Sequence, residues 1–376
     1  MEFGIFLQGH VPHRKLETDP GYEHQSFLND IALAKAADRS GFKYIWVSEH
    51  HFLEEYSHIS ANEVFLGYLA AATERIHLAS GIFNVTPQVN HPVRNAERVA
   101  MLDHLTEGRF EMGTGRGAGS LEVTGFGIEN NSITKEIYDE VIREFPKMWM
   151  QEEYSFEGKY FSLPPRNVLP KPYSKPHPPM WMAAGNPPSF EKAALLGMGV
   201  LGFNMASIDD MAPMVKAYKD AIGNADPVGA YVNDNVMVTN TAVVLEDGKK
   251  AREAAANMGI GRHNSLVYRY HDTFPKPAWV PQWPETLPDP SVDMIDTLID
   301  RGMMVCGTPD EVVGQMERYA AVGPDQVVFG LPNDMPIEAA IETVELFGEH
   351  VIPKFDTDPV HRTTHFREAA AASASA

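Results

Sequence analysis

Short apolar runs alternate with longer amphipathic segments along the whole chain. Apolar runs of this length suit strands that are buried on both faces, and the amphipathic segments suit helices that cover a sheet. The eight predicted strands are Phe3–Leu7, Tyr44–Val47, Ile76–Phe83, Phe110–Gly113, Met180–Ala183, Gly199–Phe203, Val236–Val244 and Gln326–Phe329. This order predicts a parallel sheet wrapped by helices.

Helix-length segments follow most of these strands. They are Phe27–Ser40, Asn62–Thr73, Val93–Thr106, Thr134–Met150, Ser189–Leu196, Ile208–Ile222, Lys249–Met258, Asp310–Ala321 and a closing Pro336–His350. Thr308 and Glu311 predict a capping box at the start of the eighth. Eight such alternations predict one (β/α)8 TIM barrel with insertions. An open, doubly wound sheet has less support because no Gly-x-Gly-x-x-Gly follows the first strand.

Two stretches interrupt the alternation. Residues 154–179 predict a small hairpin and then a proline-rich connector, and residues 263–290 are rich in aromatic residues and proline without a clear period. Long connections of this kind serve as lids, as oligomer contacts or as surface padding. The barrel domain is predicted over residues 1–355, followed by a tail at 356–376 whose end, Ala369–Ala376, is expected to be frayed.

The net charge of −20 disfavours a nucleic acid or an anionic membrane surface as a partner and favours small molecules. Cys306 is the one cysteine, so no disulfide forms within the chain, and a reducing, cytoplasmic location is expected. No apolar run reaches the length of a membrane helix. No His-Glu-x-x-His occurs, so no metal site is predicted.

Candidate chemistry lies where strands end, since the active sites of such barrels form at the carboxyl ends of the strands. The second strand is followed by Glu49, His50 and His51. A histidine there transfers protons near neutral pH, and a neighbouring carboxylate fixes its tautomer. A structural histidine pair is the alternative interpretation.

Two anion-binding elements are predicted on neighbouring strands. The fourth strand enters a glycine-rich loop with Gly115 and Arg116, in which backbone amides and a guanidinium suit a phosphate. The fifth is followed by Gly185, Asn186 and Ser189 at the start of a helix, where free N–H groups attract anions. Gly81, at the end of the third strand, indicates either close approach of a flat ring or a packing glycine.

The chain resembles the bacterial luciferase family of flavin-dependent monooxygenases in five stretches taken in order. They are Phe3-Gly4-Ile5-Phe6-Leu7, Trp46-Val47-Ser48-Glu49-His50-His51-Phe52, His91-Pro92-Val93-Arg94-Asn95-Ala96-Glu97, Leu105-Thr106-Glu107-Gly108-Arg109-Phe110 and Cys306-Gly307-Thr308-Pro309-Asp310-Glu311-Val312. The resemblance implies a TIM barrel that binds FMN, with reduced FMN supplied by a separate reductase.

The resemblance also implies roles for individual residues. Arg116, Asn186 and Ser189, with the backbone at Gly185, would surround the FMN phosphate, and a non-proline cis peptide would fall at Ser80–Gly81. The expected cofactor-binding set is Ser80, Gly81, Gly115, Arg116, Gly185, Asn186 and Ser189. His50, with Glu49 beside it, would be catalytic. Light emission is not implied, because Gly115 stands where the light-emitting enzymes carry a cysteine.

The expected reaction uses O₂ to oxidise a small apolar or carbonyl-bearing organic substrate, and the expected assembly is a homodimer. The aromatic stretch is a candidate lid that keeps water from the site. Two alternatives keep the fold: a deazaflavin-dependent hydride-transfer enzyme and a non-catalytic flavin-binding partner subunit.

Overall fold

Eight parallel strands close into a barrel in the computed structural model, which describes residues 1–117, 119–203, 205–272, 276–331 and 334–375. The strands are β1 (Glu2–Leu7), β2 (Tyr44–Val47), β3 (His77–Ser80), β4 (Phe110–Gly115), β5 (Met180–Ala184), β6 (Gly199–Gly202), β7 (Val236–Val244) and β8 (Gln326–Gly330). Each pairs with the next, and β8 pairs with β1. The (β/α)8 barrel is confirmed and the open sheet is excluded.

The predicted helices are present with small shifts of their ends. Their bounds are Tyr22–Arg39, Asn62–Ala72, Pro92–Leu105, Ile133–Val141 with Phe145–Met150, Pro187–Leu195, Ile208–Ala221, Gly248–Ala256, Pro309–Val322 and Ile337–Leu346. The predicted capping box is confirmed, since Thr308 Oγ1 accepts from the N–H of Glu311, whose carboxylate accepts from the N–H of Thr308.

Further elements lie between and after these. They are the helices His13–Thr18, Ser120–Gly125, Ile352–Phe355 and Arg362–Ser375, the turns Ile142–Glu144, Ile222–Asn224 and Phe347–Val351, and the strands Phe83–Asn84 and Val305–Gly307. Phe83–Asn84 pairs with β4 and Val305–Gly307 pairs with β7. The prediction of one strand over Ile76–Phe83 is therefore wrong between Gly81 and Ile82, where pairing is interrupted.

The two insertions differ in how well they match their predictions. The hairpin is confirmed, with Tyr154–Glu157 antiparallel to Ser162–Arg166. The aromatic stretch was expected to lack regular structure, but Ile260–Tyr270 is a helix. Further along, Val292–Asp300 is a helix that the sequence did not predict. Phe274 of the aromatic stretch and Ala118 of the glycine-rich loop lie outside the described residues.

The C-terminal segment packs beneath the barrel. His361 stacks on His77 with ring centroids 3.5 Å apart, and Thr363 Oγ1 donates to the buried Glu111 at 2.6 Å. Arg367 Nη1 donates to the carbonyl of Gly108 at 2.8 Å. Arg362–Ser375 is a helix whose first turns close the amino-terminal end of the barrel, and the frayed end at Ala369–Ala376 stays a prediction.

The barrel interior is packed rather than hollow at mid-height. Side chains from six strands form a buried layer there, in which the Trp46 and Trp181 rings meet edge to face at 5.2 Å. Phe6, Ile82 and Ala183 lie on this layer and keep part of their surface exposed. A recess therefore opens at the carboxyl end of the strands.

The single cysteine lies on the short strand that pairs with β7. Cys306 is buried on Val305–Gly307, where the Gln315 side chain bonds both its backbone N–H at 2.9 Å and its carbonyl at 2.8 Å.

Among the helices of the described ranges, none combines the length and the apolar character that a membrane span requires.

Candidate active site

The recess at the carboxyl mouth has an apolar floor made by Phe6, Ile82 and Ala183. Phe203, just beyond β6, is also partly exposed. The layer below them is almost wholly buried, which places the accessible space above that layer. Carboxyl mouths of this kind hold the active sites of TIM-barrel enzymes.

The two predicted histidines follow β2 and turn to different carboxylates. His50 Nδ1 lies 3.1 Å from Glu122 Oε1, and His51 Nε2 lies 3.3 Å from Glu49 Oε1. The His51 ring also packs edge-on against Phe126 at 4.9 Å. Adjacent histidines thus have separate surroundings, and only His50 contacts the aromatic cluster described below.

Glu49 does not take the position expected of it beside His50. Its Oε1 accepts from Asn90 Nδ2 at 2.7 Å as well as facing His51, and burial raises its pKa. The prediction is corrected in this respect: Glu49 ties the loop after β2 to the segment after β3.

Glu122 is the carboxylate that faces His50, and sequence reasoning missed it. It lies on the short helix Ser120–Gly125, directly after the glycine-rich loop. Burial alone would raise the pKa of Glu122, but the charge and hydrogen bond of His50 and the N–H of His51 hold it below its ordinary value. In the sequence, the one indication of this role was that an acidic residue stands close to the arginine loop. Glu122 is 72 positions from His50 along the chain.

Arg116 lies at the rim directly after β4. Its Nη1 donates to Asn131 Oδ1 and to Thr134 Oγ1, each at 2.9 Å. Within the described ranges no carboxylate pairs with this guanidinium, and burial lowers its pKa. Asn131 Nδ2 is buried without a hydrogen-bond partner. A half-buried cation held by neutral acceptors is a suitable site for an anion.

The second predicted anion element is confirmed as a helix N-terminus. Asn186 Oδ1 accepts from the N–H of Ser189 at 3.0 Å, and Ser189 Oγ accepts from the N–H of Asn186 at 3.2 Å. Gly185 follows β5 as Arg116 follows β4, and these strands are paired. Both elements therefore lie at the same end of adjacent strands.

The glycines and the serine near β3 contact the protein itself. Ser80 Oγ donates to the carbonyl of Gly113 at 2.8 Å, and Ser80 is fully buried. A Cβ at Gly81 would lie 2.9 Å from the Phe6 ring, and one at Gly115 would lie 2.8 Å from Ile82. The flat ring that approaches Gly81 is thus Phe6.

The cis peptide is one position later than predicted, at Gly81–Ile82 instead of Ser80–Gly81. The N–H of Gly81 still donates to the carbonyl of Val47 at 2.7 Å. Regular pairing with β2 therefore extends through Ser80 and Gly81, and the irregular peptide follows it.

An aromatic cluster stands over the histidine. Tyr56 lies between His263 and His271, with ring centroids at 5.7 and 5.2 Å, and its hydroxyl is 2.9 Å from His271 Nε2. The His50 ring is 5.4 Å from Tyr56 and 5.7 Å from His271. Burial lowers the pKa of His263 and of His271 to about 3, so both are neutral.

The fold and this mouth together define a TIM-barrel enzyme with an anion-binding rim and a histidine beside an apolar recess. The family model of the luciferase-like monooxygenases matches residues 1–326. The chain belongs to that family and is an oxidoreductase.

Three comparisons extend this result. The oxygenase component of the flavin-dependent trigonelline monooxygenase of Acinetobacter baylyi is 25% identical over 374 residues, 96% of this chain and 98% of that protein. The oxygenating constituent of 3,6-diketocamphane monooxygenase from Pseudomonas putida, solved with FMN, has a TM-score of 0.74 at 20% identity and covers 95% and 99% of the two chains. The coenzyme F420-dependent tetrahydromethanopterin reductase of Methanopyrus kandleri has a TM-score of 0.63 at 22% identity and covers 94% and 99%.

Proposed function

We propose that this protein is the oxygenase of a two-component monooxygenase, which uses reduced FMN and O₂ to oxidise a small apolar or carbonyl-bearing organic substrate. The observation that carries the proposal is Arg116. On a chain with a net charge of −20, this half-buried guanidinium has no acidic partner in the described ranges and stands at the mouth of the barrel.

The residues present fit an FMN phosphate and ring. Arg116 and the free Nδ2 of Asn131 offer donors to a phosphate, and the helix that begins after Gly185 and Asn186 adds the positive end of its dipole, since the N–H groups of Asn186 and Ser189 bond within the capping box. The apolar floor of the recess suits a flat ring system. When bound, reduced flavin would supply the electrons that activate O₂.

The chain's own residues would orient and protect the reactants. His50 stands beside the recess with 14% of its side chain exposed, where it would accept or donate a proton. The apolar floor and the aromatic cluster would exclude water from the reacting groups. The substrate would lie between them, which suits an apolar or carbonyl-bearing compound better than a charged one.

An FMN titration tests the cofactor. We expect micromolar binding by the native protein and at least a tenfold loss in Arg116→Gln, measured by quenching of flavin fluorescence. Arg166→Gln is the matched control, because Arg166 is exposed on the hairpin and, among the described residues, its guanidinium bonds to the carbonyl of its neighbour Pro165 alone. Equal affinities for all three proteins would contradict the proposal.

The need for a reductase is tested separately. The trigonelline relative is named as an oxygenase component, which supports a partner that supplies reduced flavin. We expect no NADH oxidation by this chain with FMN alone, and O₂ consumption once FMN is reduced photochemically. Rapid NADH oxidation by the isolated chain would contradict a two-component system.

A deazaflavin coenzyme is the second candidate, favoured by the structural likeness to the F420-dependent reductase. Both coenzymes carry a phosphate ester, so Arg116 does not separate them. Titration with each coenzyme, followed by exposure of the reduced complex to O₂, separates the two candidates. Preferred binding of the deazaflavin without O₂ consumption would replace the FMN proposal.

The segment around the helix Ile260–Tyr270 is proposed as a lid. Tyr270 donates to the carbonyl of Glu54 at 3.1 Å and packs against Tyr56, so it joins the helix to the loop after β2. We expect Tyr270→Ala to raise the peroxide released per reduced flavin, because water would reach the site. Trp279→Ala, at a residue that is 71% exposed, is the control. Unchanged coupling in Tyr270→Ala would count against a lid.

A homodimer is proposed for the assembly. Val64 and Tyr68 lie one turn apart on Asn62–Ala72 and are 70% and 57% exposed. Met101 and Leu105 are exposed on the neighbouring helix Pro92–Leu105. Exposed apolar side chains grouped in this way are typical of a protein interface. A cytoplasmic location also remains a proposal, supported by the single cysteine.

A further inference from the structure

Glu122 stands where three parts of the mouth meet. Its helix begins at Ser120, four positions after Arg116, and the N–H of Ser120 donates to Asp272 Oδ1 of the aromatic segment at 3.0 Å. The preceding Gly119 lies so close to the carbonyl of Tyr270 that a Cβ would be 1.9 Å from it. The helix is therefore held by the segment that covers His50.

The Glu122 carboxylate makes two contacts with the histidine pair. Its Oε1 faces His50 Nδ1 at 3.1 Å and accepts the backbone N–H of His51 at 2.9 Å. The side chain is only 6% exposed, so water does not compete strongly for these contacts. One oxygen thus fixes both the ring and the backbone of the loop after β2.

The chemistry of the pair decides where the proton lies. An ionised carboxylate only accepts hydrogen bonds, so His50 Nδ1 must carry the hydrogen that joins them. The neutral imidazole then has an unprotonated Nε2. Within the described ranges Nε2 has no hydrogen-bond partner, and part of the ring is exposed.

We propose that Glu122 is the positioning residue that holds His50 in the Nδ1–H tautomer, so that Nε2 serves as the proton acceptor toward the recess. This inference rests on the proposed function of the mouth and assigns His50 its direction of proton transfer. A donor's X–H bond breaks as the Nε2–H bond forms, the donor keeps the electron pair, and the imidazolium charge faces Glu122.

The other groups that face His50 support this assignment. Tyr56 and His271 contact its ring, and burial raises the pKa of the Tyr56 phenol and lowers that of His271, so both are neutral. Glu49 is turned to His51. In the described part of the chain Glu122 is the carboxylate that bonds the His50 ring.

The tautomer is measured directly on the flavin-free protein. Long-range ¹H–¹⁵N spectra of the imidazole nitrogens, with His50→Gln to identify the signals, are expected to show protonated Nδ1 and unprotonated Nε2. In Glu122→Gln the neutral amide offers an N–H donor to Nδ1, and the Nε2–H form is expected to become the major one. Glu49→Gln, which removes the carboxylate at His51, is expected to leave the His50 signals unchanged.

Each outcome decides the assignment. A native spectrum with Nε2–H, or His50 signals that are the same in native protein and Glu122→Gln, overturns it; the native spectrum suffices where the variant does not fold. In turnover with photoreduced FMN, Glu122→Gln is expected to lower kcat about 100-fold while the FMN Kd changes less than threefold. Normal tautomers without FMN binding would defeat the proposed function and leave this inference standing.

Discussion

His50 and His51 are neighbours in the chain, yet carboxylates from different segments hold them. Glu122, which follows the glycine-rich loop, contacts His50. Glu49, which lies in the loop after β2 together with both histidines, contacts His51. Only His50 contacts Tyr56 and His271 over the recess. The two side chains should therefore differ sharply in their effect on turnover.

Replacing His50 with alanine is expected to lower kcat by at least about 100-fold, because it removes the group that transfers a proton beside the recess. FMN affinity should stay within a few-fold of the native value. His51→Ala is the matched variant and should retain most of the activity. Full turnover in His50→Ala would favour a non-catalytic role for the site or a different base.

A second prediction concerns Asp30, buried in the helix Tyr22–Arg39. Burial raises its pKa from 3.8 to about 7, and no basic side chain pairs with it in the described ranges. The folded state therefore holds a proton that the unfolded state releases above pH 3.8, and the associated stability is lost as pH rises through about 7. The full loss corresponds to roughly 4 kcal/mol.

Asp30→Asn should accordingly raise the free energy of unfolding at pH 8 by roughly 4 kcal/mol and at pH 5 by less than about 2 kcal/mol, measured by urea denaturation. Asp220→Asn, at an exposed residue paired with Lys216, should change it by less than about 0.5 kcal/mol at both pH values. An equal gain at the two pH values would show that Asp30 does not titrate in this window.

At the level of elements, the hydrophobic pattern predicted those strands and helices whose buried positions are occupied by hydrophobic residues. The eight barrel strands were predicted because each is a short apolar run. The helix Ile260–Tyr270 was missed because its buried face includes Gly261 and Ser265, which give no apolar signal. Val292–Asp300 was missed because Ile295 is its one buried residue.

The site was predicted unevenly for a similar reason. Arg116 follows β4 directly, and Asn186 and Ser189 stand at the start of the helix after β5, so the barrel rule placed them at the mouth. Glu122 was missed because its role depends on a contact between distant segments, which no local pattern records. The partner assigned to His50 was wrong because adjacency in sequence made Glu49 the nearer choice.

The C-terminal segment should matter for stability in its first part only. Asp356 and the carbonyl of Val360 bond Lys43, and Thr363 bonds Glu111. Deleting residues 356–376 removes part of the hydrogen bonding of two buried charges, leaving Lys43 with Glu2 and leaving Glu111 with His77 and Trp181, and is expected to lower Tm by about 5 °C or more. Deleting only 369–376 keeps those contacts and should have little effect. Equal Tm values, from scanning calorimetry, would show that the segment is dispensable.

For the whole molecule, one group of exposed apolar side chains lies on the neighbouring helices Asn62–Ala72 and Pro92–Leu105, where Val64, Tyr68, Met101 and Leu105 are exposed. If that surface is the dimer contact, Tyr68→Asp should shift the protein from dimer to monomer in sedimentation velocity, because a buried charge without a partner is costly. Leu169→Asp, at a 58% exposed residue of the proline-rich connector, is the control. A native monomer would contradict the proposed assembly.

The burial of Cys306 has a consequence for the proposed reaction with oxygen. Burial raises the pKa of its thiol to about 12, so almost none of it is thiolate at neutral pH. Hydrogen peroxide attacks thiolates far more readily than thiols, and access to this sulfur is closed. The protein should therefore survive its own unproductive cycles without forming sulfenic acid or mixed disulfides.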